Sequence, residues 1–331
     1  MARTLAARIE RFPVRGAFTI SRGAKTHVDV VVAEIGDGDA VGRGEGTAIY
    51  YKGDSAEAAL AAIHACADAI SGGASRADLL ALLPAGAARN ALDCALWDLE
   101  AKRAGMPVWQ RLGLPVPQPL LTAYTISLGD IDVMVAAATA ARGRELLKIK
   151  LGSSDGPDGD VARMAAIHRA APDARLIVDA NEAWGGTDIE RTLARLAPLA
   201  VELVEQPVPA GRDAELDGVR AAVPICADES CQDRASLDAI IGRYSFINIK
   251  LDKAGGLTEA LALRHAAATR GLGVMTGCML CTSLAIAPAF MVAMQGQFAD
   301  LDGPLLIEDR PHGLRFAGSD VYPPDAALWG G

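Results

Sequence analysis

The chain has 331 residues, 51% of them hydrophobic and only 5% aromatic, with a formal charge of −9. This allows a large aliphatic α/β core and fits one barrel with a small companion domain. The acidic balance excludes a nucleic-acid partner, which needs clustered Lys and Arg, but says nothing against a small anionic ligand in a local site.

The opening MARTLAARIE carries Arg3, Arg8 and Glu10 and lacks the apolar stretch of an export signal. No apolar run approaches the ~18 residues of a membrane span. The six cysteines (Cys66, Cys94, Cys226, Cys231, Cys278, Cys281) lack the spacing of metal ligands or of a small secreted scaffold. They read as reduced thiols, and the expected location is cytoplasmic.

Residues 1 to about 50 hold apolar runs (VDVVVAEI, AVGRGEG) separated by Gly-Asp turn signals, which predicts a short antiparallel sheet. Residues 55–105 are Ala- and Leu-rich with helical spacing, clearest in ARNALDCALWDLEAKR. From about residue 120 the pattern changes. After a first strand near LTAYTISL come LLKIK, LIVDAN, VELVEQP, PICADES, FINIK, GVMTGC and FADLD, each ending in a polar or charged group. Helical stretches such as TDIERTLARLA and LTEALALRHAAATR lie between them. The repeat of roughly 22–31 residues is one strand-loop-helix-loop unit. The expected fold is α/β, a TIM-like (β/α)7β barrel with an α+β capping domain. The capping domain is expected over 1–115, the barrel over 116–310, and a segment returning toward the cap over 311–331. No Gly-x-Gly-x-x-Gly follows a strand, which argues against a dinucleotide fold.

Active sites of parallel barrels form at the C-terminal ends of the strands. Asp179, Glu205 and Asp228 close three successive runs. One such carboxylate reads as a surface ion pair or helix cap. Three converging carboxylates repel one another, and a hard divalent cation, Mg²⁺ or Mn²⁺, resolves the repulsion. The next run ends in Lys250, and an earlier one in Lys148-Ile149-Lys150, where the two lysines share a face. Cationic groups therefore flank the carboxylate arc on both sides. A lysine near other cations and a metal is expected to have a lowered pKa and to act as a base near neutral pH. Asp300 and Asp302 end the last strand on one face and complement a positive group on a ligand.

The series LLKIKL, LIVDANEAW, VELVEQPVPA, ICADESC, INIKLDKAGGLTEAL, GCMLCTS and FADLDGP resembles the muconate-lactonizing subgroup of the enolase superfamily. Within it, the series is most similar to bacterial L-Ala-D/L-Glu epimerases. A Lys or His base with one or two Mg²⁺ ions is a general description of enolase-superfamily sites. The resemblance implies that Asp179, Glu205 and Asp228 are metal ligands. It implies that Lys150 and Lys250 are acid/base groups on opposite faces of the substrate α-carbon, and that Lys148 contacts the substrate carboxylate and the developing enolate. It further implies that Asp300 and Asp302 bind a peptide α-ammonium and that Arg22 meets a Glu side chain, for which an Arg fork is suited. Lys25 is an alternative to Arg22. Thr125, Cys278 and Leu280 match positions that line the peptide.

The implied reaction interconverts L-Ala-D-Glu and L-Ala-L-Glu by proton transfer between two lysines, through an enolate that Mg²⁺ stabilises, in murein peptide recycling. The expected partner is a small dipeptide; homo-oligomerisation is compatible with the sequence. Many relatives carry Glu where this chain has Cys281, which removes one polar group from the candidate set. His64, His168 and His265 lie in helical stretches and are assigned no chemistry. Cycloisomerase, o-succinylbenzoate synthase and N-acylamino acid racemase activities would use the same lysines and metal, and Asp300 and Asp302 argue against them. The remaining alternative is a non-catalytic small-molecule binder.

Overall fold

The computed structural model describes residues 2–20 and 23–331. Eight short parallel strands form its centre: β4 (Tyr124–Ile126), β5 (Leu146–Lys150), β6 (Arg175–Asp179), β7 (Val201–Glu205), β8 (Ile225–Ala227), β9 (Phe246–Ile249), β10 (Gly273–Gly277) and β11 (Phe298–Asp300). They neighbour one another in chain order. The Ala123 N–H donates to the Ala299 carbonyl at 2.8 Å, joining the first and last strand regions. The fold is thus the nearly closed parallel barrel expected.

Strand periodicity decides what the barrel encloses. Leu146, Ile177, Leu203, Cys226 and Met275, with Ala123, make one small apolar cluster, and Phe246 and Phe298 pack against it. Two residues further along each strand the same inward face reaches Thr125, Lys148, Asp179, Glu205, Asp228, Asn248, Gly277 and Asp300. The intervening Leu147, Ile149, Val178, Val204, Ala227, Ile247 and Ile249 belong to the large cluster between barrel and helices. A dry plug below and a polar layer above therefore follow from one alternation repeated around the ring.

The cap sheet is longer than expected. β1 (Thr4–Ile20) and β2 (Gly23–Asp37) run 17 and 15 residues, and β3 (Ala40–Thr47) completes the order β1-β2-β3. Their pairing continues past a register shift between Pro13 and Phe18. Such an irregularity bends a strand without ending its pairing, so the distal end of this ribbon reaches the barrel mouth. Gly42, Gly44 and Gly46 of β3 lie against the helix Ala87–Ala104. A Cβ on Gly44 would sit 2.1 Å from the Ala91 carbonyl oxygen, so no side chain fits there. The stretch AEAALAAIHACADAI forms two helices, Ala56–Ala65 and Ala67–Ser71.

Buried polar groups lock cap to barrel. Asp93 accepts from Thr258 N–H and Oγ1, and Thr47 N–H donates to Asp252 at 2.8 Å. Near the C-terminus, Trp329 Nε1 donates to the Cys94 carbonyl at 3.0 Å and Gly330 N–H to Asp98 at 2.7 Å, tying the last residues to the same helix. Among the described residues no helix is long and apolar enough to cross a membrane.

Candidate active site

The polar layer sits at the C-terminal ends of the strands, and Lys150, Lys250 and Asp302 lie two residues beyond it on the same inward-facing register. β5 and β9 are four strands apart in a ring of eight, so Lys150 and Lys250 face each other across the mouth. Asp179, Glu205 and Asp228 occupy the arc between them. Asp300, Asp302 and Thr125 occupy the other arc.

The cap covers this mouth. Phe18, Ile20, Gly23, Lys25 and Tyr51 share a cavity with Thr125, Lys150, Lys250, Cys278, Leu280, Asp300 and Asp302. The Phe18 ring centroid is 5.9 Å from the Lys150 ammonium. The loop bearing Cys278 and Leu280 is fixed from the cap: buried Glu45 accepts from Thr282 N–H at 2.8 Å and pairs with Arg310 at 3.0 Å. Thr47 Oγ1 donates to the Leu280 carbonyl at 3.3 Å. Cys281 is buried beside this loop.

The central side chains are nearly dry and tightly paired. Lys148 is 1% exposed and lies 2.5 Å from Glu205 Oε2, 2.6 Å from Asp300 Oδ2 and 3.5 Å from Asp179 Oδ2. Lys150 donates to Asp179 Oδ2 at 2.6 Å, and Lys250 to Asp228 Oδ2 at 2.7 Å. The second oxygen of each arc carboxylate has its own donor. Asn181 N–H reaches Asp179 Oδ1 at 2.9 Å, Asn248 Nδ2 reaches Glu205 Oε1 at 2.6 Å, and Lys253 Nζ reaches Asp228 Oδ1 at 2.5 Å. On the other arc, Thr125 N–H donates to Asp302 Oδ2 at 2.6 Å.

Burial and charge set the protonation of these groups. Burial raises the Glu205 carboxyl, the Asp179 charge adds to it, and the group is pushed up to about 8. Burial acts on Asp179 too, but the Lys150 and Lys148 ammoniums outweigh it and hold that carboxyl well below the usual range. Asp228 is likewise held down, against burial, by Lys250 and Lys253. Burial, then the neighbouring Asp300 charge, raise Asp302 to about 7.

The expectation of a lowered lysine pKa is corrected for two groups. Burial does depress Lys148 and Lys250. The carboxylates around them (Asp300, Glu205 and Asp179 for Lys148; Asp228 and Glu205 for Lys250) reverse that effect and hold both well above the ordinary value. Proximity to acids outweighs proximity to other cations.

The arc suits a hard cation by its donor chemistry: three carboxylates, and no soft or nitrogen donor among the residues that close the arc. Glu205 Oε2 is buried without a hydrogen bond among the described residues, although the Lys148 ammonium is 2.5 Å away. Among the described residues, however, no three acidic, His or Cys groups already form a ready cage. The lysine ammoniums take the inward oxygens instead.

Of the residues expected in the site, Lys148, Lys150, Lys250, Asp179, Glu205, Asp228, Asp300, Asp302 and Thr125 meet in this layer, and Cys278 and Leu280 line its cavity. Arg22 lies outside the described residues. Lys25 lines the mouth, its ammonium 4.0 Å from the Tyr50 ring centroid, and burial lowers its pKa. Asn248, Asn181, Gln206 and Lys253 were not anticipated. Asn248 was legible, being two residues before Lys250 on one strand face. Asn181 and Gln206 adopt left-handed backbone (φ 45° and 36°) just after the strand ends that carry Asp179 and Glu205, and Gln206 Oε1 accepts the Asp228 N–H at 2.8 Å. Lys253, in a short helix, carries no local signal at all.

Two family models match the chain: the mandelate racemase/muconate lactonizing enzyme N-terminal domain over residues 2–113, and the enolase C-terminal domain-like family over residues 132–325. The chain is 43% identical over 323 residues to the L-Ala-D/L-Glu epimerase of Escherichia coli strain K12, covering 97% of this chain and 99% of that one. It is 45% identical over 255 residues to the N-acetyl-D-glutamate racemase of a Pseudoalteromonas species, covering 77% and 79%. A solved structure from Agrobacterium tumefaciens, an enolase family member with homology to dipeptide epimerases, holds bound sodium and L-Ala-L-Glu. It superposes with a TM-score of 0.95 at 52% identity, covering 99% of this chain and 100% of that one. With the barrel, the cap and the matched sequence in agreement, the chain belongs to the muconate-lactonizing subgroup of the enolase superfamily and is an isomerase of its epimerase and racemase kind.

Proposed function

We propose that this protein is a dipeptide epimerase that interconverts L-Ala-L-Glu and L-Ala-D-Glu by moving the Glu α-proton between Lys150 and Lys250. The observation that carries this reading is the opposition of the two lysines across the mouth, on β5 and β9 of the eight-stranded ring. A racemising site needs one acid/base group on each face of the α-carbon. Asp179, Glu205 and Asp228 would hold Mg²⁺ or Mn²⁺, which supplies a Lewis acid toward the substrate carboxylate. Lys148, buried on the same arc, adds a fixed positive charge beside that carboxylate. Whichever of Lys150 and Lys250 is neutral removes the α-proton as a base. The opposite ammonium delivers a proton to the other face, and the reverse reaction exchanges their roles. Phe18 and Ile20 of the cap exclude water from the cavity.

On the far arc, Asp300 and Asp302 give the substrate ammonium a partner; Asp300 Oδ1 is buried without a hydrogen bond among the described residues. Thr125, Cys278 and Leu280 contact the peptide, and Arg22 or Lys25 meets the Glu side chain. The A. tumefaciens structure, with a hard cation and L-Ala-L-Glu, supports this reading. The setting we propose is murein peptide recycling in the cytoplasm. The Pseudoalteromonas relative favours a second reading, racemisation of an N-acylated Glu, which brings no ammonium to Asp300 and Asp302. Mass spectrometry in D₂O decides: deuterium should enter the Glu α-position of L-Ala-L-Glu much faster than that of N-acetyl-Glu, and the opposite order would overturn the dipeptide assignment.

A further inference from the structure

We propose that Asn248 and Lys253 are positioning residues that hold one oxygen of Glu205 and one of Asp228 away from the cation site, so that each carboxylate presents a single oxygen and the site takes Mg²⁺ in preference to Ca²⁺. This rests on the metal reading above and assigns a role to two residues that do not touch the substrate.

The three arc carboxylates follow one rule. Each has an outer oxygen held by a fixed donor and an inner oxygen facing a site lysine. The outer ties are Asn181 N–H to Asp179 (2.9 Å), Asn248 Nδ2 to Glu205 (2.6 Å) and Lys253 Nζ to Asp228 (2.5 Å). The inner partners are Lys150 on Asp179 (2.6 Å), Lys148 on Glu205 (2.5 Å) and Lys250 on Asp228 (2.7 Å). Only the inner partners belong to the proton-transfer and substrate machinery, so only they have reason to yield to a cation.

The outer ties cannot readily let go. Lys253 is 1% exposed, and among the described residues its ammonium meets, besides Asp228 Oδ1, only backbone carbonyls: Asp228 at 2.5 Å, Cys231 at 2.8 Å and Asn248 at 3.0 Å. A buried ammonium has no water to move into, and leaving these acceptors would strand its charge. Asn248 is fully buried and joins the two ties, its carboxamide on Glu205 and its carbonyl on Lys253.

The consequence concerns ion size. Ca²⁺ takes 6–8 oxygens and readily accepts both oxygens of one carboxylate, whereas Mg²⁺ requires near-octahedral geometry with shorter bonds. Tying back the outer oxygens removes the bidentate mode and penalises Ca²⁺ more than Mg²⁺.

The test is calorimetric titration of the substrate-free protein with MgCl₂ and with CaCl₂. Lys253→Met and Asn248→Leu keep the side-chain bulk and remove the donor. Each should shift the ratio of the two dissociation constants toward Ca²⁺ by about tenfold or more, the scale of outer-sphere effects on metal affinity. Variants that weaken both ions equally, leaving the ratio unchanged, would show a purely structural role and overturn the proposal. Should Lys253→Met not fold, the Asn248→Leu ratio decides alone. A wild-type protein that binds neither ion would overturn the metal reading itself, and the proposal with it.

Discussion

Replacing Asp302 with Asn removes one negative charge while conserving shape. The carboxamide oxygen can still accept the Thr125 N–H that Asp302 Oδ2 accepts at 2.6 Å, so the strand end should keep its conformation. Asp302 is 3% exposed and Asp300 4%, so a substrate ammonium there would be largely out of water. A hydrogen bond to a charged group contributes ~1.5–3 kcal/mol. At ~1.4 kcal/mol per factor of ten, KM for L-Ala-L-Glu should rise about 10- to 150-fold. N-acetyl-Glu, which has no ammonium, should be indifferent. Burial and the Asp300 charge raise Asp302 to about 7, so its carboxyl is protonated below that value and ionised above it. Ammonium affinity is therefore present above pH 7 and lost as pH falls through it. Wild-type KM should climb between pH ~7.5 and ~6, a window below the ~8 at which an α-amino group loses its own proton. The Asn variant should be flat there. α-Deuteration followed by mass spectrometry at several pH values measures both effects. A KM change of equal size for both substrates, or a variant that keeps the wild-type slope, would refute the ammonium role.

Lys150→Ala and Lys250→Ala should each lower epimerisation by ~10²-fold or more, the usual contribution of a positioned acid or base. In D₂O each should still exchange the α-proton of one epimer only; undiminished epimerisation by either would remove the two-lysine scheme. Arg22→Ala and Lys25→Ala should be compared on L-Ala-L-Glu and L-Ala-L-Ala. The residue that meets the acidic side chain will raise KM for the first substrate selectively, and equal effects from both variants would free the cap of that role. Gly44→Ala places a Cβ 2.1 Å from the Ala91 carbonyl oxygen, so the cap helix must shift. Overpacking of this kind should cost about 2 kcal/mol or more by urea denaturation, and a wild-type midpoint would contradict the close packing.

The barrel and its polar layer were legible in the sequence because a strand has a period of two. LLKIK, LIVDAN and FADLD announce by themselves which residues share a face. Once the strands close into a ring, Lys148, Asp179, Glu205 and Asp300 can only point inward. The reach of β1 and β2 over the mouth was not legible, because a register shift near Pro13 sustains their pairing where the apolar pattern fades. Nor was the break in the Ala-rich helix at Cys66, since alanine spacing reads as helix on either side.

Linear order thus determined the repeating units, the inward residues and the identity of the charges. The tertiary structure decided which charge neutralises which. Lys253 carries no signal along the chain, yet packing leaves it 1% exposed, with its ammonium on Asp228 Oδ1 and three carbonyls. Lys148 and Lys250, expected to be easily deprotonated, are held well above the ordinary lysine value for the same reason. Coulomb energies depend on distances and on the local dielectric, and neither exists until the ring has closed.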